Sequence, residues 1–284
     1  MFELAGKRRA EMWNRFVILA LIIIAVVNFY PVLQIIYVSL QPMSKALHAS
    51  FQLFPTDVTL ANYIKVIFKS GKFPIYFLNS ALIGTANMVI STLVSVLAGY
   101  SLARLKFPFR SVLDRTILFV YIIPPVMLVI PIYLLMVRAK LMDQAIGVIM
   151  IHTLFSIPFG TWMLRGFFKT IPAELTDAAR VDGTSHLGAL FRIILPISTP
   201  GIAAVALFSL LTSWDEFMYS SLLLSTEIKR TLPFGVYALV GTYGEVRWDE
   251  MMAASVLQAL PMVIVFIWLQ RYFVQGLSAG AVKG

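Results

Sequence analysis

The chain has 284 residues and a mass of 31.8 kDa; 59% of its residues are hydrophobic, 13% are charged, and the mean hydropathy is +0.84. Too few charged side chains are available to clothe a water-exposed fold, which excludes a soluble domain. The formal charge of +9 does not point to nucleic acid, because the basic residues flank apolar runs rather than sharing one face, and the absence of cysteine removes disulfides, thiolate metal sites and cysteine nucleophiles.

Six uncharged runs, 16–44, 73–103, 116–137, 144–164, 193–214 and 251–270, order the chain, and each reaches the roughly 20 residues that a bilayer core requires. Backbone polar groups in lipid need internal partners, and the runs lack the period-two alternation of a barrel strand. The expectation is an all-α polytopic membrane protein with six transmembrane helices, forming a single transmembrane domain over 1–284.

Lys7-Arg8-Arg9 before the first run imitates a signal peptide, but the run is too long and has no small-x-small cleavage site, so an uncleaved first helix is expected. The following loop, 41–72, contains Phe54-Pro55-Thr56-Asp57 and a short helix predicted at 60–68, and is too short for a separate domain. The second connection, Arg104-Leu105-Lys106-Phe107-Pro108-Phe109-Arg110, is a tight basic turn whose aromatic and arginine side chains suit the headgroup level. Pro124-Pro125 and Pro131 are expected to kink or break the third span.

The connection 170–196 is more than a linker. Thr170-Ile171-Pro172 offers a cap and an early proline, Glu174 and Asp177 lie near the positive end, and Gly183 follows as a terminator, which predicts a helix over 172–181. Thr184 or Ser185 caps a second helix through Ile193, with Pro196 ending it. On the first helix Leu175, Ala178, Ala179 and Asp182 share a low-profile face that another protein surface can approach. Such a pair of helices equally suits the lipid surface.

Around the end of the fifth run stand Ser209, Thr212, Trp214, Asp215, Glu216 and Tyr219. At helical spacing the hydroxyls, carboxylates and Tyr219 form one polar stripe, and intramembrane acids should face protein or water. That stripe predicts a solute path in which carboxylates accept hydroxyl protons and Trp214 or Tyr219 offers a ring face; the competing reading is a structural hydrogen bond. After the last run, Gly276, Gly280 and Gly284 suggest a tail outside the bilayer.

Six spans put both termini on one side. That side carries 14 basic residues, in the N-terminus, the second and fourth loops and the C-terminus, against 9 on the other, which assigns both termini to the cytoplasm. No G-x-x-x-x-G-K-[ST], G-x-G or H-E-x-x-H occurs, and His48, His152 and His186 are widely separated, so neither ATP hydrolysis nor a metal or dinucleotide site is expected in this chain.

Asp177-Ala178-Ala179, three residues, Gly183, nine residues, Ile193, one residue, Leu195-Pro196 resembles the EAA loop of binding-protein-dependent, type I ABC importer permeases, with Asp177 where that family usually has glutamate. Leu60-Ala61-Asn62-Tyr63, Phe77-Leu78-Asn79-Ser80, Ala103-Arg104-Leu105-Lys106-Phe107-Pro108, Ser213-Trp214-Asp215-Glu216-Phe217 and the segment from Arg271 to Gly284 are similar to the carbohydrate branch, its MalG-like permeases. The resemblance implies the type I permease fold and half of the translocation path of an oligosaccharide or disaccharide importer in the prokaryotic cytoplasmic (inner) membrane. It implies a MalF-like second permease, an ATPase dimer that binds ATP and Mg, and an extracytoplasmic sugar-binding protein as partners. It also makes Glu174, Asp177, Ala178, Ala179, Gly183, Ile193, Leu195 and Pro196 the coupling loop, and Gly280, Lys283 and Gly284 an ATPase-contacting tail. A permease for glycerol phosphate or an amino acid, and a self-contained secondary transporter using Asp215 and Glu216, are the alternative readings.

Overall fold

The computed structural model describes residues 2–42, 57–69, 71–240 and 246–281, with side chains over 13–42, 57–68, 71–240 and 246–270. The segment Phe54-Pro55-Thr56, His48, Lys283 and Gly284 lie outside the described residues. Among those described, helices account for all regular structure apart from one isolated antiparallel bridge between Val240 and Val246. The chain divides into two compact units, Met1–Ser70 with Leu239–Leu257 and Gly71–Ala238 with Gln258–Gly284.

In the first unit, helix α1 (Phe2–Ser39) contains an apolar stretch, Trp13–Ser39, whose side chains are exposed almost throughout, as suits a helix solvated by lipid or by another membrane chain. Its end is tied down by Asn62, which is buried and donates to the carbonyls of Ser39 (3.0 Å) and Gln41 (2.8 Å). These would otherwise be unpaired helix-end acceptors. The predicted 60–68 helix is present as one α turn, Ala61–Ile64, running into a π turn, Lys65–Lys69.

The second unit is built on three long helices: α2 (Phe73–Arg104), α5 (Ala145–Thr170) and α8 (Thr199–Trp214). Lipid supplies no hydrophobic drive between helices, so close packing and buried polar contacts hold them. Asn87, Ser91 and Ser95 lie buried along one side of α2, and Asn87 donates to Ser156 Oγ (3.2 Å) on α5 and to the Ser209 carbonyl (2.7 Å) on α8. At Gly160 the crossing is so close that a Cβ would stand 2.5 Å from Ser95 Oγ and 2.8 Å from Val205 Cγ1.

The third apolar run is broken at Pro124-Pro125, between α3 (Arg110–Ile122) and α4 (Val129–Arg138), and the two segments bend by 92°. Pro131 does not add a break, because it stands in the first turn of α4, where no amide donor is required. The fourth and fifth runs are joined by α6 (Ala173–Val181) and α7 (His186–Ile197), the latter containing a π turn at Leu190–Ile194. Beyond α8 come two short helices, α9 (Met218–Leu223) and α10 (Leu232–Tyr237), and the long α11 (Trp248–Ala281).

Four helices are individually long and apolar enough to span a bilayer, and the two bent pairs, α3 with α4 and α7 with α8, bring the number to six, matching the six runs. Two boundaries add detail to the runs. Helix α11 continues past the last apolar run to Ala281, so the segment that carries Gly276 and Gly280 is helical. The fifth run is not straight, because α7 and α8 meet at 84° across Ser198.

Candidate functional site

Two features of the second unit carry chemistry. The first is the turn between α6 and α7. Helix α6 ends in a Schellman motif: the Gly183 amide donates to the Arg180 carbonyl (3.0 Å) and the Thr184 amide to the Ala179 carbonyl (3.0 Å), with Gly183 at φ +83°. Ser185 then caps α7, its hydroxyl accepting from the Gly188 amide at 3.1 Å. Thr170 does not cap α6. Pro172 takes that position, and the Thr170 hydroxyl turns back to the Phe167 carbonyl. The second helix runs one residue past Pro196, to Ile197, and the chain bends there by 84°.

The turn is fixed to the ends of the spanning helices. Arg104 at the end of α2 donates to the carbonyls of Phe168 and Ile171, and Tyr100 donates to the His186 carbonyl (3.2 Å). Beneath it Phe168, Leu190, Ile194 and Val205 are fully buried together. Glu174, Leu175, Asp177, Ala178, Val181 and Asp182 remain exposed, whereas Ala179 points inward with Thr176. The expected Leu175/Ala178/Ala179/Asp182 face is therefore split: Ala179 is packing and the other three are surface. Ile193 and Leu195 are half-buried, and Pro196 is exposed. The vertex is thus exposed on one side and fixed to the ends of α2 and α5 on the other.

The second feature is a cavity of about 500 Å³, walled by the broken third span, α5, α8 and α9, with Tyr121, Phe155 and Phe208 among its apolar lining. Its polar groups are His152, Ser156, Thr212, Glu216 and Tyr219. Glu216 lies in the gap after α8, and four donors converge on its carboxylate: the amides of Tyr219 (2.7 Å) and Ser220 (2.9 Å), the Ser220 hydroxyl (2.8 Å) and His152 Nε2 (3.1 Å). Against a carboxylate, which only accepts, Nε2 carries a hydrogen, and Nδ1 meets Ser213 Oγ at 2.6 Å. Glu216 thus caps α9 and pins it to α5. Tyr219 donates to the Pro125 carbonyl at the proline break (2.7 Å).

The single stripe read from the sequence is not continuous, because α8 ends at Trp214. Thr212, Glu216 and Tyr219 reach the cavity. Trp214 is buried away from it, donating to the Gln258 carbonyl (3.0 Å) and packing edge-on to Phe77, and Asp215 is exposed and accepts from Gln258. His152, left out of the candidate residues because a lone membrane histidine is usually bonded to a neighbouring helix, is so bonded, to Ser213 and Glu216, and also lines the cavity. The signal was present: an ionisable side chain inside an apolar run needs a polar partner. Among the described residues, no group of three or more His, Asp or Glu is placed to hold a metal ion.

These features define a polytopic helical membrane protein with a rigid loop built past the ends of its spans. The chain belongs to the family of binding-protein-dependent transport system inner membrane components, which its residues 91–279 match. It is 34% identical over 263 residues to the arabinooligosaccharides transport system permease protein AraQ of Halalkalibacterium halodurans, covering 92% of this chain and 93% of that one. It is 30% identical over 278 residues to the trehalose/maltose transport system permease protein MalG of Thermococcus litoralis, covering 97% and 99%. A chain of a bacterial ABC transporter that imports the acidic polysaccharide alginate shares the fold, with a TM-score of 0.78 over 93% of this chain and 97% of that chain at 23% identity.

Proposed function

We propose that the chain is the permease subunit of an ATP-driven importer of oligosaccharides or disaccharides, that it forms half of the translocation path, and that the α6–Gly183–α7 vertex docks on an ATPase. The observation that carries the coupling role is the Schellman-locked vertex, exposed on one side and fixed to α2 and α5 on the other. Closing of an ATPase dimer moves such a loop as a rigid body, and the movement shifts the permease pair between inward-open and outward-open states. Both termini and the vertex are cytoplasmic in this reading, in keeping with the charge bias.

The named relatives, transporters of arabinooligosaccharides and of trehalose/maltose, support a sugar as the solute. A MalF-like permease completes the path, and an extracytoplasmic binding protein delivers the sugar; a solved relative of the same fold is in complex with a periplasmic protein bound to an alginate pentasaccharide. ATP and Mg bind to the partner ATPase, and Gly280, Lys283 and Gly284 contribute a contact to it. In the path, Thr212 and Tyr219 offer hydroxyls beside aromatic faces, whereas Glu216 acts chiefly as the clamp that shapes the cavity.

The chain has no native cysteine, so Val181→Cys, at the exposed end of α6, introduces a single reporter thiol. With a single cysteine in the ATPase docking cleft, the reading expects a disulfide-linked permease–ATPase product in the assembled complex. A product formed as readily by a cysteine at the opposite end of the spans contradicts it.

A further inference from the structure

A second cavity, of about 710 Å³, lies where the 103–110 turn meets α6, and it is polar where the first is aromatic. Its walls bring Arg104, Lys106 and Arg110 from the turn to face Arg180 and Thr176 from α6, with Asp177 the one carboxylate. Four permanent cations thus surround a single acid, and among the described residues none of the four is in an ion pair. Like charges repel at this distance unless an anion lies between them, which makes the concentration of cations a demand for one.

Two further observations point into the same space. Arg104 Nε and Thr176 Oγ1 are buried without a hydrogen-bond partner within the described residues, and Thr176 is 5% exposed. Buried polar atoms are nearly always paired, so two orphans in one basic cleft mark a place for an acceptor. The guanidiniums are also held ready: Arg104 is tied to the Phe168 and Ile171 carbonyls, and Arg110 to those of Leu102 (2.9 Å) and Ala103 (3.4 Å). The cleft sits at the ends of α2, α3 and α5, beside the exposed Phe109, which is the depth at which headgroups lie.

We propose that this cleft binds a phosphate-bearing anion, supplied by an anionic lipid headgroup or by a soluble phosphate. Forked arginine donors and a hydroxyl are the groups that recognise phosphate oxygens, and basic pockets between spans take anionic headgroups. An anion held here bridges the turn after α2 to α6, and so tunes the stiffness of the vertex.

The assembled importer is reconstituted in phosphatidylcholine nanodiscs doped with phosphatidylglycerol and released for native mass spectrometry. The wild type should retain phosphatidylglycerol over phosphatidylcholine at least tenfold, Lys106→Gln with Arg180→Gln should abolish the preference, and Thr176→Val should reduce it severalfold. Intact mass reports assembly in the same spectra, and Thr176→Val carries the test if the double variant does not assemble. In a second arm the complex in phosphatidylcholine alone is melted with inorganic phosphate or with chloride at equal ionic strength. Lipid enrichment without a phosphate shift assigns the headgroup; a phosphate shift without enrichment assigns the soluble ion. No enrichment and no shift, or an enrichment that both variants keep, overturns the site.

Discussion

His152 on α5 and Glu216 at the gap between α8 and α9 are 64 residues apart in sequence, and their side chains meet at 3.1 Å in the cavity wall. Removing the carboxylate by Glu216→Ala leaves His152 Nε2 and two helix-start amides without their acceptor. At about 1–3 kcal/mol for a buried group left unpaired, the variant should melt several degrees lower in detergent. Glu216→Gln, with its amide oxygen in the place of Oε2, keeps three of the four bonds and should lose less. Asp215→Ala, which removes only an exposed contact to Gln258, should melt within about a degree of wild type, since surface changes stay within about 0.5 kcal/mol.

Gly183 has no atom within 4 Å of where a Cβ would lie, so the constraint there is backbone conformation alone. Valine at φ +83° costs about 1–2 kcal/mol and should weaken ATPase association or uncouple hydrolysis from transport. Asparagine tolerates that conformation and should retain most coupled activity. Coupled transport measured on both variants checks the argument, and equal impairment of the two contradicts it.

Gly160 and Gly166 make a matched pair on α5. An alanine methyl at Gly160 meets Ser95 and Val205 too closely, whereas at Gly166 it meets nothing within 4 Å. Gly160→Ala should destabilise by about 1–3 kcal/mol, the range for overpacking, and Gly166→Ala should leave the melting temperature unchanged or slightly raised.

The six spans and the α6–Gly183–Ser185 turn were legible in the sequence because each rests on local chemistry: apolar length, a positive-φ glycine, a serine cap. What was not legible depended on distance or on a hidden break. The polar stripe assumed that one helix continues past Trp214, but α8 ends there, and Asp215 is left exposed while Glu216 and Tyr219 reach the cavity. Pairing of His152 with Glu216 and the burial of Ala179 follow from tertiary packing, which periodicity does not encode.

The same holds for Asp143, in the connection between α4 and α5. Lys229 and the Thr226 hydroxyl and amide, bonded to its carboxylate, hold its pKa well below the usual carboxylate range. A carboxylate with a depressed folded pKa stabilises above its unfolded value of about 3.9 and loses that contribution as pH falls through the lower folded value. Asp143→Asn should therefore melt below wild type at pH 7, with the gap closing only as the pH drops beneath about 4. A gap that stays constant down to pH 2.5 contradicts the clamp.

Sugar uptake into proteoliposomes tests the central claim most directly, with this chain, its partner permease, the ATPase and the binding protein present or individually omitted. The account predicts uptake that requires ATP and every component, and no ATP hydrolysis by this chain alone, which has no phosphate-binding loop. Uptake by this chain alone under an ion gradient, or ATP turnover in its purified form, contradicts it.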